Sequence, residues 1–435
     1  MLNPYFPRVD LPILEGVEPP LVKRVRIPQP RAEAIQDLEG TIEAHLREAV
    51  KVNRLPPGSS IAVGVGSRGI AHLPRLVKSV IDYLKSRELE PFIVPAMGSH
   101  GGATAEGQTS LLAGLGVTEG TVGAPIRASM EVIETGRTPT DFKCLIDARA
   151  MAADGIVIIA RVKPHTSFNR PIESGLVKMM AIGLGKQAGA TAVHNLGPAI
   201  GLGQVLPAIG KVLIEKAPLV CGLAVVENAD HEAVHLEAVE PDNFFAADER
   251  LLKLAKSTLA RLPFDQIDVL IVEELGKEIS GCGMDYAVTG RTDIRGIPNP
   301  LKPLIYKVAV LGCTTKSHGN ATGIGMADYI PRSLANKVDL VSFYMNSITA
   351  SITEKARFPI VLNTDEDVVK ACTLTSWRAR PIETRLCLIR NTLELNEILL
   401  SQPLLEDIEE LEGVEVLSEP FPLSFDDDGV LLSRI

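Results

Sequence analysis

Ile61-Ala62-Val63-Gly64-Val65-Gly66-Ser67-Arg68-Gly69 and Phe92-Ile93-Val94-Pro95-Ala96-Met97-Gly98-Ser99-His100-Gly101-Gly102 share one pattern, a short apolar run followed by a glycine-rich turn. Beyond the first turn, Leu76, Val77, Val80, Ile81 and Leu84 line one face of a helix from about Leu73 to Arg87; beyond the second, a helix fits Thr104 to Gly114. Strand, turn and helix in succession imply a parallel sheet with right-handed crossovers. Ligands on such sheets bind where the strands end, beside helix N-termini. Arg68 and His100 stand at those strand ends beside glycines that let backbone approach a ligand closely, which makes both candidate site residues.

A third run, Gly155-Ile156-Val157-Ile158-Ile159-Ala160, reads as a buried strand. It leads into the stretch richest in chemistry, Arg161 to His194, which carries His165 and His194 with Lys163, Lys178 and Lys186 among glycines and apolar residues. A lysine in such surroundings loses its proton easily and becomes a nucleophile or a covalent tether. A histidine there carries a proton or a metal. Lys178, flanked by Leu176, Val177, Met179 and Met180, fits a neutral, reactive amine.

Residues 1–30 hold seven prolines and read as an extended lead-in, followed by a helix over Ala32 to Val52 that includes His45 as a surface residue. Met130 to Thr135 suits a strand, Pro198 to Lys216 a helix, Cys221 to Glu227 a strand and Pro241 to Leu262 mostly a helix. His231 and His235, four apart after Glu227 and Asn228, could share a helix face like a metal pair. Pro263 marks a boundary. Val269–Val272, Val308–Leu311, Leu340–Phe343 and Leu386–Ile389 read as strands beyond it, with a glycine-rich, charged loop from Leu275 to Arg291 and a polar turn at His318. The expected fold is α/β, two domains with mostly parallel sheets flanked by helices and an active site in the interdomain cleft. The first domain spans 1–262 and carries the cofactor and the catalytic histidines, the second spans 263–417, and a tail, 418–435, packs back on the first.

A net charge of -10 and a pI near 5.4 argue against a nucleic-acid partner, and 46% hydrophobic with 23% charged residues is the composition of a globular protein. The six cysteines lack a Cys-x-x-Cys pair, so neither a zinc knuckle nor a disulfide framework is indicated, and a reducing, cytoplasmic setting is expected. No apolar run reaches membrane-spanning length and no export signal opens the sequence, so no membrane association is expected.

The block from His165 to His194, with the turns at Gly66–Gly69 and Gly98–Gly102, resembles the nickel-dependent lactate racemase family over most of the chain. The interval from Lys178 to His194 equals that between the family's cofactor-bearing lysine and its nickel-ligating histidine, and Lys277 to Arg291 looks like a loop of its second domain. The chain departs from the pattern at Gly175-Leu176-Val177-Lys178, where lactate racemases have Gly-Gly-Arg-Lys, and at Val65, which stands in the place of an acid.

The resemblance implies an isomerase, a racemase or epimerase that inverts C2 of a small-molecule 2-hydroxy acid by hydride transfer to a nickel-pincer nucleotide. That cofactor is a nickel(II) pyridinium-3-thioamide-5-thiocarboxylic acid mononucleotide, supplied by maturation proteins and tethered to lysine. At the matching positions Lys178 would bear the cofactor, His194 would bind nickel, and His100 and His165 would exchange acid and base roles. Ser67, Gly98 and Gly175 would lie beside the cofactor, and Arg68, Lys277 and Arg291 would contact the substrate. Ser280 and Asp285 would suit a longer, hydroxylated substrate such as an aldonic acid. Two other readings use the same residues: a metal-dependent hydrolase with His100, His165 and His194 as ligands, which gives Lys178 no role, and a non-catalytic nucleotide-binding protein.

Overall fold

The computed structural model describes residues 2–30, 32–66, 70–165, 170–200, 202–350 and 352–435; the side chains of 194–200, 202, 203 and 349 lie outside that description. The chain forms two units, a middle unit of residues 30–165 and 169–259 and a terminal unit that joins residues 1–29 to 260–435. Strand β1 (Val22–Arg26) belongs to the terminal unit, and its partners come last in the chain.

The middle unit runs α1 (Leu38–Glu48), β2 (Ser60–Val65), α2 (Leu73–Ser86), β3 (Glu90–Pro95), α3 (Ala105–Gly114), β4 (Val132–Arg137), β5 (Lys143–Asp147) and β6 (Gly155–Arg161). It continues with α4 (Lys186–Ile200), α5 (Leu202–Lys216), β7 (Leu219–Glu227), β8 (Ala233–Val239) and α6 (Phe244–Thr258). Its sheet has the order β3-β2-β6-β7-β8, parallel except for β8, while β4 and β5 form a separate antiparallel pair. The parallel strands β2, β3, β6 and β7 are apolar over most of their length because both faces are covered. Ile61, Val63 and Val65 face a core shared with Ile42, Leu46, Leu76 and Ile81, whereas Ala62, Ile156 and Ile158 face Leu176, Met180, Leu213 and Phe244. Each fully buried leucine or isoleucine contributes roughly 1.5–3 kcal/mol.

Chain connections leave β2 toward β3 on one side, and the later strands β6, β7 and β8 lie on the other. The carboxyl ends of β2 and β6 therefore flank a point where the strand order reverses, the preferred ligand crevice of an open α/β sheet.

In the terminal unit β9 (Gln266–Val272), β10 (Leu304–Val310), β11 (Tyr329–Pro331), α7 (Leu340–Thr349), β12 (Ile360–Leu362), α8 (Asp365–Leu374), β13 (Leu386–Ile389), β14 (Glu397–Ser401) and β15 (Glu415–Val416) follow in sequence. The sheet order is β12-β11-β10-β9-β13-β14-β1-β15; the first five are parallel and the last three run antiparallel to their neighbours. Among the described residues no helix is long and apolar enough to cross a membrane.

Several elements depart from expectation. Residues 1–29 join the terminal unit because β1 pairs with β14, and the tail stays there as well: Val22 and Phe421 exchange backbone hydrogen bonds. Leu340–Phe343 opens helix α7 instead of forming a strand, since Asp339 caps it by accepting from Ser342 N and a four-residue apolar run has no decisive period. His231 sits in a turn at φ +60 and His235 on strand β8, so they share no helix face.

Candidate active site at the strand ends of the middle unit

Val65 pairs with Pro95 on one side and Ile159 on the other, so β3, β2 and β6 end nearly level. His100 lies a few residues past β3 and His165 a few past β6, on strands about 10 Å apart with β2 between them. Ser67 and Arg68, beyond β2, lie outside the described residues. His100 is exposed and His165 half-buried.

Glu173 holds the backbone at His165. Its carboxylate accepts from His165 N at 2.6 Å, Arg170 N at 3.0 Å and Lys256 Nζ at 2.6 Å, with no side-chain surface exposed. Lys163 N donates to Ser174 O at 3.0 Å, which folds the segment bearing Lys178 back onto the end of β6. Beyond β2, Glu227 accepts from Ala71 N at 2.7 Å and pairs with Arg161. Burial works to raise the Glu227 carboxyl, but His231, Arg161 and the Ala71 amide together hold it below its usual range.

Lys178 ends the helical turn Leu176–Lys178 and is followed by a π-helix, Met179–Leu184. π-Helical turns concentrate at functional sites. Lys178 is half-buried, its Nζ 3.0 Å from Ser174 Oγ. The π-helix packs under the His100 turn: Gly98 N donates to Gly183 O at 3.1 Å, and a Cβ on Gly183 would lie 2.8 Å from Ala96 O. His194 lies on α4, its side chain outside the description.

Asp248 on α6 caps the Lys178 turn, its two oxygens each 2.9 Å from Leu176 N and Val177 N. A Cβ on Gly175 would lie 2.2 Å from Asp248 Oδ1, so helix capping accounts for this glycine. Burial pushes Asp248 from the ordinary 3.8 up to about 6, against the opposing pull of the two amides. An acid raised on folding is protonated in the folded chain and ionised in the unfolded one between those values, so its contribution to stability falls as pH rises from 3.8 toward 6. Asp248→Asn should flatten that slope, changing the stability difference from the parent by about 2–3 kcal/mol between pH 4 and pH 7 in urea unfolding curves. A difference that stays constant with pH would place the carboxyl in water.

Lys186, fully buried at φ +52, lies beneath the same turn. Its ammonium is 3.1 Å from Asp147 Oδ2, donates to Pro95 O, and reaches Gln108 Oε1 at 3.3 Å. Gln108, also buried, donates to Gly98 O at 3.0 Å and His100 O at 3.3 Å. Asp147 Oδ1 accepts from Arg149 N and Ala150 N. A closed polar network thus fixes the backbone that presents His100. Burial lowers the Lys186 amine and Asp147 partly restores it. The argument from apolar neighbours therefore describes Lys186 better than Lys178.

In the terminal unit Lys277 Nζ bonds Asn346 Oδ1 at 2.7 Å and approaches Gly281 O at 3.5 Å. Arg291 pairs with Asp328 at 2.8 Å and donates to Met326 O and Tyr306 O, bracing strands within the unit. Asp285 accepts from Ala287 N, and Ser280 is buried. His318, in a turn at φ +49, borders a cavity of about 730 Å³ at the ends of β9 and β10, with Glu273, Glu274, Lys337, Asp365 and Arg434 in its wall. This cavity shares no lining residue with the strand-end cluster of the middle unit.

Glu173, Asp248, Gln108 and Asp147 went unnoticed in the sequence because each has a partner distant along the chain, Lys256 for Glu173, Leu176 for Asp248 and Lys186 for the other two. Lys186 carried a visible signal, an apolar and glycine-rich setting like that of Lys178.

No family model matches the chain, and no curated protein matches its sequence. Among solved structures it is similar to a Thermotoga maritima protein from a structural genomics consortium, at 15% identity and TM-score 0.48 over 63% of this chain and 70% of that one. It is similar also to the lactate racemase apoprotein from Thermoanaerobacterium thermosaccharolyticum, at 13% identity and TM-score 0.40 over 83% of this chain and 97% of that one. Likeness at this level carries no activity across to the chain.

Proposed function

We propose that the chain is a racemase or epimerase that inverts C2 of a 2-hydroxy acid, with a nickel-pincer nucleotide attached to Lys178 and His194 as its nickel ligand. The observation that supports this reading is the order β3-β2-β6, in which the turn bearing His100 follows β3 and the segment bearing His165 follows β6, on the same edge of the sheet where the strand order reverses.

The residues fit such a group. Lys178 offers a half-buried amine against Ser174 at that edge, on a turn held by Asp248. A pincer ligand brings its own soft donors and needs one imidazole from the protein, the role given to His194. When bound, the group supplies a reversible acceptor for the C2 hydrogen as hydride.

The chain's own residues handle the hydroxyl proton. Neutral imidazole at His100 or His165 takes it from the C2 hydroxyl of one isomer, and the opposite imidazolium returns a proton to the other. Arg291, bound to Asp328 and backbone carbonyls, is given no part.

Cofactor-loaded protein given a 2-deuterated 2-hydroxy acid should return the opposite isomer with its deuterium still on carbon. Rapid loss of the label to water during turnover would indicate carbanion chemistry and overturn the reading.

A further inference from the structure

Three nearly buried polar side chains meet in the terminal unit, none with a role above: Cys282 at 5% exposure, Lys355 at 5% and Asp293 at 6%. Lys355 Nζ stands 2.7 Å from Cys282 Sγ and 3.0 Å from Asp293 Oδ2. The backbone around them is tightly constrained. Gly323 N donates to Lys355 O at 3.3 Å, and a Cβ on Gly323 would lie 1.8 Å from Cys282 O. The loop bearing Cys282 and the turn bearing Lys355 thus press against the same glycine, and neither can swing away without breaking that packing.

The other cysteines have a different setting. Burial pushes the thiols of Cys144 and Cys313 up to about 11 and Cys221 up to about 12, and raises Cys372 and Cys387 further. Cys282 instead has an ammonium against its sulfur. Burial works against the charge on Lys355, yet the Cys282 sulfur and the Asp293 carboxylate hold it above the usual lysine range. An oxidised sulfur at this position faces the Lys355 nitrogen.

We propose that Cys282 and Lys355 form a peroxide-responsive site that closes into a covalent nitrogen–oxygen–sulfur bridge. The sulfur attacks one peroxide oxygen, giving a sulfenic acid and releasing water. The oxygen that leaves takes its proton from Lys355, which leaves a neutral amine. That amine attacks the second peroxide, breaking its O–O bond to give a hydroxylamine and water, and the hydroxylamine oxygen then attacks the sulfenic sulfur and expels a third water. One amine, one thiol and two hydrogen peroxide molecules become one N–O–S bridge and three waters. Four electrons leave nitrogen and sulfur, and each peroxide accepts two as its O–O bond breaks. The bridge would join the glycine-rich loop that also carries Lys277 to the turn Thr353–Ala356.

The test is native, full-length protein treated with dilute hydrogen peroxide, then digested and mapped by mass spectrometry. Expected is a linked pair of peptides containing Cys282 and Lys355, heavier by one oxygen and lighter by two hydrogens than their sum, and reversed by a thiol reductant. Lys355→Arg keeps a cation beside the sulfur, so Cys282 should still oxidise, but only to sulfenic and sulfinic acids without a link. Cys282 oxidised without a link in the parent protein, or left reduced while Cys313 oxidises first, would overturn the proposal.

Discussion

Lys186→Ala should lower the stability of the protein by about 3–5 kcal/mol, because it leaves Asp147 as an uncompensated charge in a dry interior. The variant also removes the donor to Pro95 O and the partner of Gln108, so the His100 turn loses its support from beneath. Two effects should be separable. Lys186→Met with Asp147→Asn removes both charges and keeps most of the volume, and should recover a large part of the stability. It should not restore the fixed position of His100, since Gln108 still lacks its cation. Urea unfolding followed by circular dichroism reads the first effect, and hydrogen exchange at the amides of residues 98–103 reads the second. A loss below about 1 kcal/mol for Lys186→Ala would mean that water reaches the pair.

The second large effect concerns the two histidines. His100→Gln and His165→Gln should each lower the rate of inversion by about 10²–10⁴-fold in both directions, the usual contribution of a positioned acid or base. Each direction needs one histidine as base and the other as acid, so neither single variant should retain a fast direction. The Lys178 adduct should persist in both, because neither histidine is its point of attachment. Their supports differ, however. Gln108 and Lys186 hold His100 from below, whereas Glu173 and Lys256 hold the backbone at His165. A variant that keeps full inversion in one direction would assign its histidine to another task.

What the sequence made legible follows from where the information lies. Strands β2, β3 and β6 are continuous apolar runs closed by glycine turns, and both signals are local, so their ends and the residues beyond them could be located to within a few positions. Amphipathic α2 was equally plain. The run Leu340–Phe343 was too short to distinguish helix from strand, and the deciding cap, Asp339, acts through a hydrogen bond that no periodicity displays. Strand β1 hid among prolines, and only its distant partner β14 makes it a strand of the terminal unit. The same holds at the site. The candidates His100, His165 and Lys178 stand out by residue type and spacing, while Asp248, Glu173, Gln108 and Asp147 each have a partner far along the chain.

Between Lys178 and Lys186 the physical arguments divide: Lys186 is the more deeply buried amine, but it is closed in by Asp147, Gln108 and Pro95, whereas Lys178 is half-buried at the strand-end edge. Peptide mass mapping with metal analysis, on protein made in a host that assembles the nickel-pincer nucleotide, decides between them. The expected result is a nucleotide-derived adduct on the peptide containing Lys178, accompanied by nickel, with both lost in Lys178→Ala and the adduct kept but nickel weakened in His194→Ala. An adduct on Lys186, or nickel retained in full by Lys178→Ala, would contradict the assignment.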